Sequence, residues 1–295
     1  MRLVLAAIAA ALLAGPVHAR QTHTAPPSLA QACEGKSGWN DPAPPAHVFG
    51  NVHYVGTCGI TSLLVTSAQG HILFDGAAGK AGPLIARNIE ALGFELGDVK
   101  YILNSHEHGD HAAGIAHLQR VTGATVLARE PAIATLERGH GDRGDPQFLQ
   151  LPDFPPATHV RAVADGETVR VGALALTAHA TPGHAPGGTS WSWRSCEGTR
   201  CLEFVYADSV SAISDKQYRY TEHPDYVAAF RNSLDTIAGL HCDVLLTPHP
   251  GGSDLFERIA GRAPLVDSGA CKRYANAGRD GLEARLQFER KTAAP

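Results

Sequence analysis

The sequence predicts a single α/β domain in which two β-sheets pack against each other and helices cover their outer faces. In each half of the chain, strand-like runs precede helical runs, and no linker separates the halves. Hydrophobic residues make up 44% of the 295 residues and charged residues 18%, which is ordinary for a protein with a buried core. Two sheets covered by helices form a layered arrangement that buries the apolar side of each element.

The first half is expected to contain an extended arm, five strands and two helices. Five prolines make residues 20–45 an extended segment rather than a helix. Residues 84–92 place Ile85 and Ile89 on one face, which predicts a helix, and a second helix is predicted over residues 112–122. Short apolar runs predict the strands. They span residues 48–55, 62–66, 71–74, 99–103 and 125–128.

The second half begins after a loop over residues 139–156, which holds glycines, prolines and acids without a repeating pattern. Long loops of this kind in a compact domain are often functional. Residues 225–239 predict an amphipathic helix with Val227 and Phe230 on its inner face, and residues 271–289 predict a final helix. The predicted strands of this half span residues 160–163, 168–171, 174–178, 189–193, 204–207 and 244–247.

The N-terminus is expected to be a signal peptide over residues 1–19. Arg2 supplies a positive charge, residues 3–13 are apolar, and Val17-His18-Ala19 resembles a small-residue cleavage site. The apolar stretch is too short for a permanent membrane anchor. A buried N-terminal helix is the alternative interpretation. The sequence therefore predicts export to the periplasm or the medium, with residues 20–295 forming the mature domain.

Charge and cysteine content narrow the functional classes. The formal charge is −4, so the chain has neither the basic surface of a nucleic-acid-binding protein nor an acidic, disordered tail. In an oxidising compartment, six cysteines suggest disulfides, although 15 pairings are possible. A zinc site built from cysteines is not expected, because no two of them form a C-x-x-C pair.

Four potential metal ligands lie within six residues, in the segment H-E-H-G-D-H at 106–111, directly after a predicted strand. A catalytic zinc ion binds nitrogen or carboxylate ligands and leaves one position open for water. A tight loop cannot aim four ligands at one such ion. We therefore expect His106 and His108 to face one ion, and Asp110 and His111 to face another. A surface or capping role would explain a single histidine here, but not the whole pattern.

The H-x-H-x-D-H pattern is the signature of the metallo-β-lactamase superfamily, which the mature sequence resembles over its whole length. The resemblance implies an αβ/βα four-layer sandwich of two mixed β-sheets with helices on the outer faces. It also implies two zinc ions at the ends of the sheets. Later histidines match in Thr181-Pro182-Gly183-His184 and Thr247-Pro248-His249-Pro250. The implied ligand sets are His106, His108 and His184 for one zinc, and Asp110, His111 and His249 for the other.

Within the superfamily, the sequence resembles subclass B3. A glutamate at position 108 would favour iron-dependent redox relatives, whereas this chain has His108. Another subclass has a cysteine metal ligand where this chain has Y-A-D-S-V-S at 206–211, and residues 50–57 and His223-Pro224 also resemble subclass B3. The six cysteines resemble those of three-disulfide members, with Cα separations expected within about 4.4–6.8 Å. The implied pairs are Cys33–Cys58, Cys196–Cys201 and Cys242–Cys271.

The resemblance implies zinc-dependent hydrolysis of β-lactam antibiotics, including penicillins, cephalosporins and carbapenems. In such a mechanism a metal-bound hydroxide attacks the lactam carbonyl, and Asp110 orients that hydroxide as well as binding metal. The resemblance assigns Ser209 and Ser211 to the substrate's carboxylate. Asp75 resembles the acidic residue that orients a ligand histidine.

Two other functions stay open from the sequence. One is another exported hydrolase of the same fold, such as a glyoxalase II-like thioesterase or a lactonase, in which Asp208 could bridge two metals. Export and the serines beside Asp208 weigh against it, since glutathione thioesters are cytosolic, and we expect Asp208 to lie outside the metal site. The other is a zinc-binding protein without turnover.

Trp39 and Gln147 could line the substrate groove or serve only packing and solvation. We expect a monomer with a small-molecule substrate and no nucleic-acid or membrane partner.

Overall fold

The structure is a computed structural model that describes residues 27–292. Its first sheet has seven strands in the order β1 to β7. The pairs from β1 to β4 are antiparallel, and those from β4 to β7 are parallel. The strands are β1 Ala46–Phe49, β2 Val52–Tyr54, β3 Leu63–Val65, β4 His71–Phe74, β5 Val99–Leu103, β6 Thr125–Ala128 and β7 Arg161–Ala162.

The second sheet has five strands in the order β12-β11-β10-β9-β8. Only the β11–β12 pair among them is parallel, and the others are antiparallel. The strands are β8 Thr168–Val171, β9 Leu174–Ala180, β10 Thr189–Glu197, β11 Arg200–Tyr206 and β12 Val244–Leu246. The helices are α1 Leu29–Ala32, α2 Gly82–Ala91, α3 Gly109–Ala112, α4 Ile115–Thr122, α5 Glu130–Arg138, α6 Pro224–Gly239, α7 Leu255–Ile259 and α8 Ala270–Thr292.

Three apolar clusters define the layers. The central cluster joins the facing sides of both sheets, where Phe74 stacks on Trp193 at 5.2 Å and Trp193 on Phe204 at 5.4 Å between ring centroids. A second cluster packs α2, α4 and α5 on the first sheet, and a third packs α6 and α8 on the second. The predicted sandwich of two mixed sheets with outer helices is confirmed.

Several local predictions are wrong in informative ways. The arm over residues 20–45 contains the short helix α1, whose first turn is closed by a reciprocal pair of bonds between Ser28 and Gln31. The helix predicted over 112–122 is interrupted before α4 at Gly114, where a Cβ would lie 2.0 Å from the Gly76 carbonyl oxygen. This close approach of two backbones requires glycine.

Two further elements of the first half, one strand and one helix, differ from the sequence-based expectation. The strand predicted over 48–55 is two strands, because Gly50 adopts a φ of 55° and turns the chain between β1 and β2. Helix α5 was not predicted. It has a proline in its first turn and ends at Gly139 in the left-handed region, with a φ of 77°. These are ordinary start and stop signals for a helix.

Three disulfides cross-link the described residues, one of them between neighbouring strands. Cys33 bonds to Cys58 and Cys242 to Cys271, with Cα separations of 5.2 and 6.2 Å. The Cα atoms of Cys196 and Cys201 are 4.0 Å apart, which is closer than expected. The reason is that these two residues face each other directly across the β10–β11 hairpin.

The predicted signal peptide, residues 1–19, lies outside the described residues. Within residues 27–292, no helix is both long enough and apolar enough to span a bilayer.

Three histidines cluster on the first sheet beside Phe94. The rings of His47 and His53 are 5.5 Å apart, and the rings of His53 and His71 pack edge-on against Phe94. Burial, followed by the charges of His47 and His71, lowers the pKa of His53 from 6.5 to about 4. The folded state therefore favours neutral His53. This contribution to stability is present above pH 6.5 and is lost as the pH falls towards 4.

We therefore expect His53→Phe to reduce the loss of stability between pH 7 and pH 5 by about 1 kcal/mol, after allowance for partial solvent screening. Urea unfolding at the two pH values measures this difference, with a His241→Gln variant of an exposed histidine as the control. An unchanged pH dependence in His53→Phe would show that this cluster does not contribute to acid sensitivity.

Candidate metal centre

Side chains from loops that follow several strands meet at one edge of the sandwich. Segment 106–111 follows β5, His184 follows β9, Asp208 follows β11, and His249 follows β12. Asp75 comes directly after β4. The strands fix where each loop starts, so residues far apart in sequence reach a common site.

The first group of ligand atoms belongs to His106, His108 and His184. One nitrogen from each ring lies within 4.8 Å of the others, and all three side chains are buried. The ring of His184 is 4.9 Å from that of His106 and from that of His108, measured between centroids. Three nitrogen donors at this spacing suit a tetrahedral metal with one open position.

The second group surrounds Asp110. One Asp110 carboxylate oxygen lies 3.2 Å from His111 Nε2 and 3.4 Å from His249 Nε2. Ligand atoms of Asp110 and His111 also lie within 4.8 Å of one from His106, so the two groups adjoin. His249 is the most accessible of these residues, with 44% of its side chain exposed. The structure thus brings together all six residues that the sequence singled out as ligands.

A carboxylate oxygen lies near one ring nitrogen of each of the three histidines in segment 106–111. His106 Nδ1 lies 2.8 Å from an Asp208 oxygen, and His108 Nε2 lies 2.8 Å from an Asp145 oxygen. Asp75 stands 3.6 Å from His111 Nδ1. The hydrogen bonds to Asp208 and Asp145 engage one ring nitrogen of His106 and of His108 and leave the other nitrogen of each ring for the site. A carboxylate behind a histidine fixes its orientation and strengthens it as a metal ligand.

Unpartnered buried nitrogens support metal binding. Among the described residues, His106 Nε2 is buried and has no hydrogen-bond partner, and neither buried ring nitrogen of His111 makes a hydrogen bond, although carboxylate oxygens of Asp110 and Asp75 lie 3.2 and 3.6 Å away. Burying such atoms without a partner is unfavourable. Because Asp208 takes the opposite nitrogen of His106, the free Nε2 is directed into the site. The residues present therefore fit a metal bound by nitrogen and carboxylate.

The pKa values of the site residues differ between the group around His184 and the group around Asp110. Burial and the neighbouring His111 and His108 lower the pKa of His106 well below its usual value. Burial and His108 lower the pKa of His184 to about 3. Metal binding requires such deprotonated rings.

The opposite tendency is found around Asp110. Burial alone would lower the pKa of His111, but the carboxylates of Asp110 and Asp75 raise it to about 10. Burial alone would raise the pKa of Asp110, but His111 and His249 bring it well below its usual range. A cation is therefore favoured at this end of the site, where the sequence analysis places the second metal.

Asp208 lies behind His106 rather than between the two ligand groups. Its side chain is fully buried, and its backbone carbonyl accepts a hydrogen bond from the Tyr274 hydroxyl at 3.1 Å. Burial raises the pKa of Asp208 well above its usual value. Since Asp208 takes the His106 nitrogen that faces away from the site, its position suits an orienting residue better than a bridging ligand.

One of the two expected substrate serines, Ser211, lies at the rim of the site. Ser211 is an exposed residue whose hydroxyl oxygen lies 2.9 Å from His184 Nδ1, whereas Ser209 is only 8% exposed. Gln147 Nε2 lies 3.4 Å from His184 Nε2. Trp39 is half-exposed and lines a cavity of about 190 Å³ together with Asp110. Both Trp39 and Gln147 are thus placed beside ligand residues.

Two acidic residues at the site were missed from the sequence. Asp145 belongs to the loop over 139–156, whose irregular composition was the only signal. Glu107 lies inside the hexapeptide, and both its carboxylate oxygens accept from the Gly187 backbone N–H, at 2.9 and 3.1 Å. Burial raises the pKa of Glu107 to about 7. Glu107 links segment 106–111 to the loop that carries His184.

Comparison with known sequences identifies the family. The sequence profile described as "Metallo-beta-lactamase superfamily" matches residues 55–249. A hydroxyacylglutathione hydrolase of Anaeromyxobacter dehalogenans is 36% identical over 174 residues, which cover 59% of this chain and 56% of the relative. A probable metallo-hydrolase of Burkholderia pseudomallei is 32% identical over 149 residues, covering 44% of this chain and 46% of the relative. The matches therefore span about half the length of these curated relatives.

Solved structures match over much greater lengths. The metallo-β-lactamase MIM-1 from Novosphingobium pentaromativorans has a TM-score of 0.89 and 48% identity, with 91% of this chain and 100% of that chain covered. MEM-A1, a subclass B3 metallo-β-lactamase from a soil metagenome library, has a TM-score of 0.84 and 45% identity, and the match covers 86% of this chain and 100% of that chain. BJP-1, a subclass B3 metallo-β-lactamase of Bradyrhizobium japonicum, has a TM-score of 0.79 and 32% identity, and the match covers 87% of this chain and 98% of that chain. By its sequence profile and its two-sheet fold, this chain belongs to the metallo-β-lactamase superfamily, and it resembles subclass B3 members of that family.

Proposed function

We propose that this protein is an exported hydrolase that uses two zinc ions to open the amide bond of β-lactam antibiotics and so confers resistance to them. The observation that carries the proposal is the convergence of all six predicted ligand residues in a chain that covers the full length of the metallo-β-lactamase MIM-1 at 48% identity. The disulfides support export, since such bonds persist in oxidising compartments. We expect a periplasmic or secreted monomer.

The six ligand residues divide between the two ions. His106, His108 and His184 would hold one zinc, and Asp110, His111 and His249 the other. When bound, the pair supplies hydroxide near neutral pH and polarises the substrate carbonyl. One Asp110 carboxylate oxygen lies 3.2 Å from His111 Nε2 and 3.4 Å from His249 Nε2, and this carboxylate would orient the attacking water. No serine nucleophile takes part, so no acyl-enzyme accumulates.

The serines at the rim would orient the substrate. Ser211 is an exposed residue whose hydroxyl lies beside His184, and this hydroxyl would donate to a substrate carboxylate. We expect Ser209, two residues away, to bind the same carboxylate, because alternate side chains of an extended segment share a side. Trp39 would supply an apolar wall on the Asp110 side of the cavity.

Ser209→Ala is expected to raise KM about tenfold while changing kcat little, because a hydrogen bond to a charged group would be lost equally in the ground state and the transition state. Steady-state kinetics with a penicillin and a carbapenem measures both constants. A fall in kcat with KM unchanged would contradict the substrate-binding role.

Hydrolysis of thioesters is the second candidate function, because the curated relatives include hydroxyacylglutathione hydrolases. The position of Asp208 behind His106 speaks against a bridging aspartate of that kind. Assaying the purified protein on a penicillin, a carbapenem, a lactone and a hydroxyacyl-glutathione thioester separates the candidates. We expect both β-lactams to be cleaved. Turnover of the thioester or the lactone alone would replace the proposal, and zinc binding without any turnover would indicate a non-catalytic protein.

A further inference from the structure

Asp145 makes a direct contact with a ligand histidine from a separate part of the chain. One Asp145 oxygen lies 2.8 Å from His108 Nε2, and both side chains are only 4% exposed. Its other oxygen accepts from the Gln147 backbone N–H at 2.7 Å, which fixes the orientation of the carboxylate. With Nε2 engaged by Asp145, Nδ1 is the His108 nitrogen that is left for a metal shared with His106 and His184.

The loop over residues 139–156 that carries Asp145 is itself anchored. Asp215, which is 4% exposed, accepts from the Leu149 backbone N–H at 2.9 Å, and its own N–H donates to the Pro146 carbonyl at 2.7 Å. The other Asp215 oxygen accepts from the backbone of Gln217 and Tyr218. Asp215 therefore joins this loop to the segment that continues from Ser209 and Ser211, and it keeps the Asp145 carboxylate in place.

The pair has a clear physical role. A buried carboxylate is strongly unfavourable unless it is paired, so Asp145 and His108 hold each other in one geometry. A carboxylate that accepts from one ring nitrogen orients the ring and increases the electron density at the other nitrogen. Without Asp145, the imidazole of His108 could rotate away from its two partners.

We propose that Asp145 is a positioning residue for the first metal, and that the loop anchored by Asp215 serves to present it to His108. The effect of Asp145 on zinc affinity is inferred from these contacts alone, whereas its effect on turnover rests on the proposed function. The role is distinct from that of the six ligands, since Asp145 reaches the metal only through His108.

The test compares Asp145→Ala and Asp145→Asn with a matched control, Asp142→Asn. Asp142 lies in the same loop, is exposed, and contacts Arg138 and the Gly144 backbone. Zinc affinity is measured for each protein by competition with a chromophoric chelator, together with kcat, KM and thermal stability. We expect Asp145→Ala to weaken one of the two zinc sites about 10- to 100-fold. Asp145→Asn, whose amide oxygen can still accept from His108, should lose less, and the control should match the parent.

Asp215→Asn separates metal positioning from loop stability. It retains the Asp145–His108 contact, so it should lower thermal stability with a smaller change in zinc affinity than Asp145→Ala. If the Asp145 variants that fold bind both zinc ions with parental affinity, the proposal is overturned, whatever their activity. A parent protein that binds zinc in this way but cleaves no β-lactam would overturn the proposed function and leave the role of Asp145 standing.

Discussion

Replacing Asp110 with alanine is expected to lower kcat for β-lactam hydrolysis on the order of 10³-fold, within the range lost when a positioned acid–base group is removed. Asp110 lies between His111 and His249, within 3.4 Å of a ring nitrogen of each. Its loss removes a ligand of the second metal and the carboxylate that would orient the attacking water. It also leaves His111 without its nearest carboxylate.

Kinetics and zinc content should be measured on Asp110→Ala and on Asp110→Asn. Asp98→Ala provides the control, because Asp98 is more than half-exposed and pairs only with Lys100. If Asp110 acts both as ligand and as orienting group, added zinc should restore only part of the rate of Asp110→Asn. An Asp110→Ala variant as fast as the parent would defeat the mechanism.

Replacing Asp75 with alanine is expected to lower the free energy of unfolding by about 3–5 kcal/mol, the usual effect of removing one partner from a buried charged network. The Asp75 carboxylate is fully buried and accepts from Ser105 N at 2.8 Å, Ser105 Oγ at 2.7 Å and the Tyr206 hydroxyl at 2.8 Å. Alanine would leave those donors without an acceptor. It is also disfavoured at the Asp75 φ of 54°, a left-handed conformation.

Asp75→Asn is the matched variant for this experiment. Asparagine tolerates the left-handed region and keeps one acceptor oxygen, so it should lose clearly less stability than alanine. Urea unfolding in excess chelator removes the contribution of bound metal to the comparison. A loss below about 1 kcal/mol in Asp75→Ala would mean that this network does not hold the metal loop to the sheets.

Much of the metal site could be predicted because its chemistry is local in sequence. Segment 106–111 follows an apolar strand, and the short sequences around His184 and His249 also follow strands. Strand ends at one edge of a sandwich can bring such segments together, but His184 and His249 were assigned through the family resemblance and not from their local pattern. Hydrophobic periodicity gave the layers of the fold for the same reason, since each element buries one apolar face.

The carboxylates that contact the predicted ligand histidines could not be predicted from the local sequence pattern. Asp145 is separated from His108 by 37 positions and Asp208 from His106 by 102. Which acid meets which histidine depends on how the loops are anchored, and no spacing encodes that. The break before α4 likewise depends on the contact between Gly114 and Gly76, which are distant in sequence but adjacent in the fold.

The most direct test of the account is a metal titration of the purified protein with a chromogenic β-lactam as the substrate. We expect exhaustive chelation to abolish hydrolysis, two equivalents of zinc per chain to restore it, and serine-directed inhibitors to have no effect. The rate should follow zinc occupancy throughout the titration. Hydrolysis that persists after zinc has been removed completely would contradict the proposed function.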